Sequence, residues 1–521
     1  MSTFDGYFRE FEGLIRADNF GDSSKRPDGL NRHPLIFLLS HAHSDHMVEL
    51  ESFSGSDIYC SAITKEIVLK HRSALDRVEQ YAGFSSSKHR TYSHLSKTTD
   101  GSSVDLLKQL PLLKPSTVTL ANPDVDRCVL TLIPANHCPG AVMFLIQMWN
   151  RAVLYTGDIR AEPWWLESLT KETILAPYLA FPTDPINSSS SLSWGPKTSD
   201  PQKPLDNLYL DTSSILSKKE VLTKDSAISR TIDSMALYPK DTIFFINAWT
   251  WGYEELLQRI AIRFKTKIHV DEYKYEIYSQ PNFKAQYPLL YSSATPDFNM
   301  TRFHSCERQW RCDQTWGNGN GCKEFVDRDV QGDVKEKRAM CKRKRIVYVN
   351  PWEMTTSKWE MYYSNLSLQL AALTKPGAKN QDNQWPSYLI CPLARHSSFE
   401  EIYGFVSIFK PKCIFPNTTK PKHGFIEYHA LPMVFRDVIQ DQAAELIAKN
   451  AAEYTKYQER RFCKRFHLRY PINSLSENLS ETCDQYEKLD FGSEEYQEMW
   501  KENFLAADDS CKQSAALYVQ G

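Results

Sequence analysis

A run of five apolar residues, Leu35-Ile36-Phe37-Leu38-Leu39, breaks off directly into Ser40-His41-Ala42-His43-Ser44-Asp45-His46. Such a run reads as a buried strand, and it delivers His41, His43, Asp45 and His46 at its carboxyl end. Side chains alternate along a strand with period two. His41 and His43 therefore point the same way, while Asp45 and His46 turn toward a second point. Neutral imidazoles suit Zn²⁺, and a carboxylate in the set tolerates a second ion nearby. A lone His-x-His would be read as a surface loop. Asp45 and a third His at this spacing argue for a metal centre instead.

The pattern of an apolar strand ending in a polar turn recurs. Residues 129–134 and 142–146 read as strands on either side of Ala135-Asn136-His137-Cys138-Pro139-Gly140. Residues 152–156 lead into Gly157-Asp158, and 207–210 lead into Asp211. By itself His137 would be a turn residue; in this company it reads as a ligand.

Elsewhere the chain is less uniform. Residues 181–204 are rich in Ser and Pro and read as a linker or mobile loop. Residues 243–270 form a strand–helix–strand unit, and 312–345 look irregular. Strand character returns at 346–349 and 388–391, followed by Arg395-His396 and a helix; from about 436 the chain is charged and helical. The Trp164, Trp165, Trp249 and Trp251 side chains are read as core or rim packing.

Composition bounds what such a chain does. At roughly 100–200 residues per domain, 521 residues make two to four domains. A formal net charge of -2 excludes a strongly basic protein coated in phosphate contacts. Twelve cysteines scattered over this length argue against a disulfide scaffold. No apolar run approaches the ~18 residues of a membrane span, and the first residues lack a basic start followed by an apolar stretch. An intracellular, non-membrane protein is expected.

His-x-His-x-Asp-His resembles the hallmark of the metallo-β-lactamase superfamily, and the His137 and Asp158 stretches resemble its later metal-binding motifs. LSHAHSDH, YCSAIT (59–64), ANHCPGAVMFL and LYTGDIR together are similar to the branch that processes nucleic acids and carries an inserted β-CASP domain. Asp211 in LYLDTS resembles the first β-CASP motif, and His396 in Arg395-His396-Ser397-Ser398-Phe399 resembles the later His-Ser-Ser motif. The resemblance spans residues 14–430 and points to the DNA-crosslink-repair members. It implies an α/β chain: an αββα metallo-β-lactamase sandwich from residues 1–200, completed by 385–435, with the β-CASP domain inserted at 205–384. A charged helical tail would follow at 436–521, and the substrate groove would lie between the domains.

The resemblance also implies roles. His41, His43 and His137 would hold one ion; Asp45, His46 and His396 a second, with Asp158 bridging the pair. Zn²⁺ is expected in one or both sites, with Mg²⁺ or Mn²⁺ as alternatives in the second; His/Asp sites also accept Fe. Asp45, His46, Asp158, His396 and Asp211 would form the catalytic set, Asp211 by orienting His396. Asp18 matches the family's first acidic position and would support the ligands from behind. Ser61 and Thr64 are candidate substrate contacts.

Within the insert, His269, His304, Cys306 and Cys322 make a tetrahedral structural-zinc set, with Cys312 as a competing ligand. This is similar to a zinc finger carried by a member of the branch. Basic residues crowd 335–345, including Lys342, Arg343, Lys344 and Arg345, which are candidate phosphate contacts or a nuclear-import signal. A second cluster, Arg460, Arg461, Lys464, Arg465 and Arg469, has aromatics interleaved; a solvated helix face is the commoner explanation for such a run.

RNA-processing relatives carry a further His shortly after the His-Ser-Ser motif. The corresponding block, Cys413-Ile414-Phe415-Pro416-Asn417-Thr418-Thr419, has none. The expectation is therefore a nuclear, monomeric DNA nuclease acting on ends, overhangs or hairpins in double-strand-break or interstrand-crosslink repair. Its tail would dock a repair protein or kinase. The alternative is an RNA endonuclease that matures transcript 3′ ends.

Overall fold

The computed structural model describes residues 4–22, 30, 32–84, 87–99, 102–120, 127–180, 200–215, 220–315, 345–375, 385–418, 424–440 and 442–465. Residues 181–199 of the Ser/Pro-rich stretch, Cys322, the basic residues 335–344 and Arg469 lie outside them.

The apolar run at 35–39 folds as its composition demands. Ile36 and Leu38 enter one hydrophobic core, while Phe37 and Leu39 enter another. A strand covered on both faces belongs to a parallel sheet. Ile36–Leu38 is indeed the second strand of an all-parallel sheet ordered Ile15–Ala17, Ile36–Leu38, Ile58–Cys60, Leu107–Gln109. Each such buried side chain contributes roughly 1.5–3 kcal/mol, so a slip of one residue would be costly.

A second, mixed sheet faces it, ordered Ile414–Thr418, Asn207–Asp211, Arg151–Tyr155, Val142–Met148, Arg127–Pro134, Ser116–Thr119. The first three strands are parallel, and the rest run antiparallel through hairpins. The first core fills the space between the sheets, where Ile36 and Leu38 join Leu130, Leu132, Phe144 and Ile146. The same core runs on into the helices Pro163–Thr170 and Phe399–Phe409, whose Trp165 and Phe405 rings stack 5.9 Å apart.

A third sheet is all parallel: Ala294–Thr295, Ile268–Val270, Phe303–Ser305, Ile243–Ile246, Ile346–Pro351, Tyr388–Cys391. The strand–helix–strand unit expected at 243–270 is present as Ile243–Ile246, Glu254–Phe264 and Ile268–Val270, but its strands are not neighbours. Phe303–Ser305 pairs between them. The second core unites this sheet with the outer face of the first: Phe37, Leu39 and Ile67 share one apolar body with Phe244, Ile246 and Val347.

Two boundaries differ from expectation. Tyr388–Cys391 is the edge strand of the third sheet, so the return to the second sheet comes after Cys391, not at 385. The stretch from 436 is not all tail. Helix Ala443–Arg465 buries Ala443, Ile447, Ala451 and Tyr454 in the first core, with Tyr454 edge-on to Phe415. No helix among the described residues is long and apolar enough to cross a membrane.

Candidate metal centre

The strand ends meet at one point. His41, His43 and the short turn Ser44–His46 follow Ile36–Leu38; His137 follows Arg127–Pro134; Asp158 follows Arg151–Tyr155; His396 follows Tyr388–Cys391. Two glycines make the approach possible. Gly140 has φ +79°, and a Cβ there would lie 2.7 Å from the Thr64 amide nitrogen; Gly157 has φ +53°, and a Cβ there would lie 2.8 Å from Ser40 Oγ.

His41 Nε2 and His137 Nε2 lie 2.9 and 3.1 Å from His43 Nδ1. Asp158 stands beside this trio. Its Oδ2 is 3.7 Å from His41 Nε2, 3.5 Å from His137 Nε2 and 3.8 Å from His396 Nε2, while its Oδ1 is 3.2 Å from His46 Nε2. Asp158 thus faces two donor groups with two different oxygens. Asp45 is peripheral by comparison: it is partly exposed, and its Oδ2 is 3.9 Å from His46 Nε2.

All five histidines are tied by one ring nitrogen and turn the other inward. His41 Nδ1 bonds Ser40 Oγ; His43 Nε2 donates to the Trp251 carbonyl; His46 Nδ1 donates to Asp18; His137 Nδ1 donates to the Arg395 carbonyl; His396 Nδ1 donates to Asp211. Fixing the outer nitrogen fixes the tautomer and aims the inner lone pair, which is how metal-ligating histidines are held. The Asp18 carboxylate also receives the Ser40 amide, the Ser40 hydroxyl and the Tyr155 hydroxyl. Asp18 adopts φ +52°, a left-handed conformation that costs free energy for a non-glycine residue and is held here by those four bonds.

The electrostatics suit cations. Burial holds His41 and His137 well below the ordinary imidazole range; burial, then the Arg395 charge, takes His43 down to about 4. These three are neutral donors. Burial opposes charge on His46 and His396 as well. There the carboxylates outweigh it: Asp158 and Asp18 hold His46 well above its usual range, and Asp211 with Asp158 raise His396 to about 9. Asp158, though buried, is held well below the usual carboxylate range by His46 and His396. His46 Nε2 is fully buried, and the group it faces is the Asp158 carboxylate, 3.2 Å away. Imidazole nitrogens converging on a buried carboxylate fit a divalent cation. The Cys138 thiol lies within 4.8 Å of the His41, His43 and His137 donors, and burial pushes it well above its usual range.

Other candidates fall elsewhere. Ser61 caps helix Ala62–Lys70 by accepting from the Thr64 amide, and both hydroxyls donate to the Gly140 carbonyl. They brace the loop of His137, and both are buried. Arg345 bonds Thr242 at the amino end of the third sheet, whereas the loop that reaches His43 leaves the carboxyl end. The structure therefore does not bring Arg345 to the centre; Lys342, Arg343 and Lys344 are outside the described residues. Ser397 and Ser398 of the His-Ser-Ser motif are architectural. Ser397 bonds across Ile159 and Ala161, and Ser398 forms a capping box with Glu401.

The third sheet holds a second donor cluster. His269 and His304 are cross-strand partners with Nδ1 atoms 3.1 Å apart, and Cys312 Sγ lies 3.4 Å from His304 Nδ1. Cys306 and Cys312 interact directly, which pushes Cys306 up and holds Cys312 well below the usual thiol range. The donors brought together are therefore His269, His304 and Cys312, with Cys306 beside Cys312.

Sequence reasoning missed four partners. The Trp251 carbonyl, the Arg395 side chain beside His43, Tyr155 on Asp18, and Thr418, whose hydroxyl is 3.2 Å from Asp158 Oδ1, carry no motif of their own.

No family model matches the chain. It is 26% identical over 434 residues to Protein artemis of Gallus gallus and 25% identical over 435 residues to that of Homo sapiens, in both cases over 80% of this chain. It is 26% identical over 242 residues to 5′ exonuclease Apollo of Rattus norvegicus, covering 46% of this chain and 34% of that protein. The chain spans about half the length of the Artemis proteins it matches, 48% and 49%. These likenesses, laid over the centre just described, make the chain similar to the Artemis-like metallo-β-lactamase/β-CASP nucleases.

Proposed function

We propose that this chain is a metal-dependent DNA nuclease that hydrolyses phosphodiesters near ends, overhangs or hairpins in the repair of broken or crosslinked DNA. The observation that carries the reading is the convergence of four tethered imidazoles on the two oxygens of Asp158, with His43 joined to them through His41 and His137. His41, His43 and His137 would hold one Zn²⁺; Asp45, His46 and His396 would hold a second ion, Zn²⁺, Mg²⁺ or Mn²⁺; Asp158 would serve both. Cations bound there would neutralise the phosphodiester and lower the pKa of the attacking water. Hydrolysis adds the water's oxygen to phosphorus and a proton to the departing sugar oxygen. The residues' part is to keep the lone pairs of the five histidines aimed while charge moves: Asp211 holds His396, and Asp18 holds His46 and, through Ser40, His41.

In the same reading the first two sheets are the αββα sandwich, the third sheet is the β-CASP insert, and the cluster at His269, His304, Cys306 and Cys312 is a structural zinc site. The protein would act in the nucleus as a monomer, with residues beyond 465 available to a repair protein or kinase. DNA is preferred over RNA because Thr418, not a histidine, meets Asp158 from the block 413–419. Digestion of matched end-labelled DNA and RNA strands, with blunt, overhanging, hairpin and 5′-phosphorylated variants, tests the reading. DNA cutting that stops on chelation supports it; RNA-only cutting, or none, overturns it.

A further inference from the structure

Arg395 immediately precedes His396, and its guanidinium lies beside the donor trio. Nη1 is 3.3 Å from the Trp251 carbonyl oxygen and 3.5 Å from His43 Nε2. The guanidinium carbon sits 5.3 Å over the Tyr253 ring. The backbone is pinned too, since the Arg395 carbonyl accepts from His137 Nδ1 at 3.0 Å. Gly252 lets the loop close against this side chain. It has φ +109°, and a Cβ there would lie 3.1 Å from Arg395 Cδ.

A fixed positive charge next to a cation site is unfavourable unless an anion joins them. The Trp251 carbonyl and the Tyr253 face hold the guanidinium in place, and neither neutralises it. Among the described residues no carboxylate forms an ion pair with it. A guanidinium carries five N–H donors, and among the described residues only Nη1 is engaged, which leaves the Nε–Nη2 edge. That edge is the planar fork that pairs with two oxygens of a phosphate. Its orientation is set before any ligand arrives, so little freedom is lost on binding.

We propose that Arg395 is a substrate-binding residue whose Nε–Nη2 edge grips the oxygens of a backbone phosphate at the metal centre. This rests on the nuclease reading above and assigns to one side chain the role of positioning the strand over the histidines.

The test uses the full chain loaded with zinc, as wild type, Arg395→Gln and Arg395→Lys. Metal content per chain, KM and kcat are measured on a 5′-phosphorylated single-stranded DNA oligonucleotide across a salt series. Arg395→Gln is expected to keep its metal and raise KM about tenfold or more, the worth of one charged hydrogen bond to phosphate. The slope of log(1/KM) against log salt should fall by about 0.7, the value for one phosphate neutralised on a single strand. Arg395→Lys should restore the slope but only part of KM. Should Arg395→Gln fail to fold, Tyr253→Leu removes the ring beneath the guanidinium and is expected to raise KM with the salt slope intact. Unchanged KM and slope in Arg395→Gln, or metal missing from both Arg395 variants in step with activity, would overturn the assignment. Wild-type protein that cuts no DNA refutes the nuclease reading itself, a result separable from any effect of Arg395.

Discussion

His396 Nδ1 donates to Asp211 Oδ2 at 2.9 Å, joining residues 185 positions apart. The same carboxylate accepts the Ile159 amide, one residue beyond Asp158, and the Ser213 amide. Asp211 therefore sets the ring plane of His396 without facing the centre. Asp211→Asn keeps the size and loses the charge. Metal affinity should fall about 10–100-fold, as for other carboxylates behind a ligating histidine. Titration of the metal-stripped protein with Zn²⁺ reads this directly; an unchanged affinity would refute the role.

Asp18 is the corresponding support for His46, and it accepts four hydrogen bonds in a buried setting. An amide at this position turns one acceptor into a donor facing other donors. Asp18→Asn should cost about 2–4 kcal/mol in denaturant unfolding and weaken metal binding at the same time. A drop in stability with metal affinity intact would separate the two effects.

Metal removal has its own signature. Without cations the centre keeps charged His46 and His396 against Asp158. A cation bound only by the folded chain stabilises it by about 4 kcal/mol at a thousandfold excess over its Kd. Chelation should therefore lower Tm, and Zn²⁺ should restore it. Cys312→Ser should separately cost one zinc per chain while the remaining zinc still supports DNA cutting; full zinc content in that variant would eliminate the cluster in the third sheet.

Glu254 supplies the pH dependence. Burial raises its carboxyl from 4.5 to about 7, against the hydrogen bond it accepts from the Gly252 amide. The folded chain therefore holds this proton over a range where the unfolded chain has released it. The group's contribution is complete below the unfolded value and is lost as pH rises through about 7. The total is about 3 kcal/mol. Urea unfolding between pH 5 and 8 should show this decline in wild type and a flatter profile in Glu254→Gln, with the variant the more stable at pH 8.

Gly140 carries the turn after His137. Gly140→Ala places a methyl group 2.7 Å from the Thr64 amide at φ +79° and should cost about 2–3 kcal/mol. A variant as stable as wild type would mean that this loop is free to move.

What was legible in the sequence was whatever a side-chain pattern encodes. An apolar run with no polar alternation, ending in His41 and His43, required a doubly covered strand with its ligands at one end, and that is how Ile36–Leu38 sits. The partners of the outer nitrogens were not legible. The Trp251 and Arg395 carbonyls are backbone groups, identical in every residue. Choosing Cys312 as a donor required knowing that His269 and His304 lie in register on adjacent strands, and spacing alone does not encode register. The strand Tyr388–Cys391 ends within five residues of His396, so the motif drew the boundary too early.

The second core makes the third sheet and the first sheet mechanically one body, since Phe37, Leu39 and Ile67 are packed with Phe244, Ile246 and Val347. Parting them would expose that whole apolar mass to water. On the nuclease reading proposed above, a substrate strand would therefore meet two sheets fixed against each other, and selection among substrates would fall to the shape of their termini, not to any jaw that opens for them.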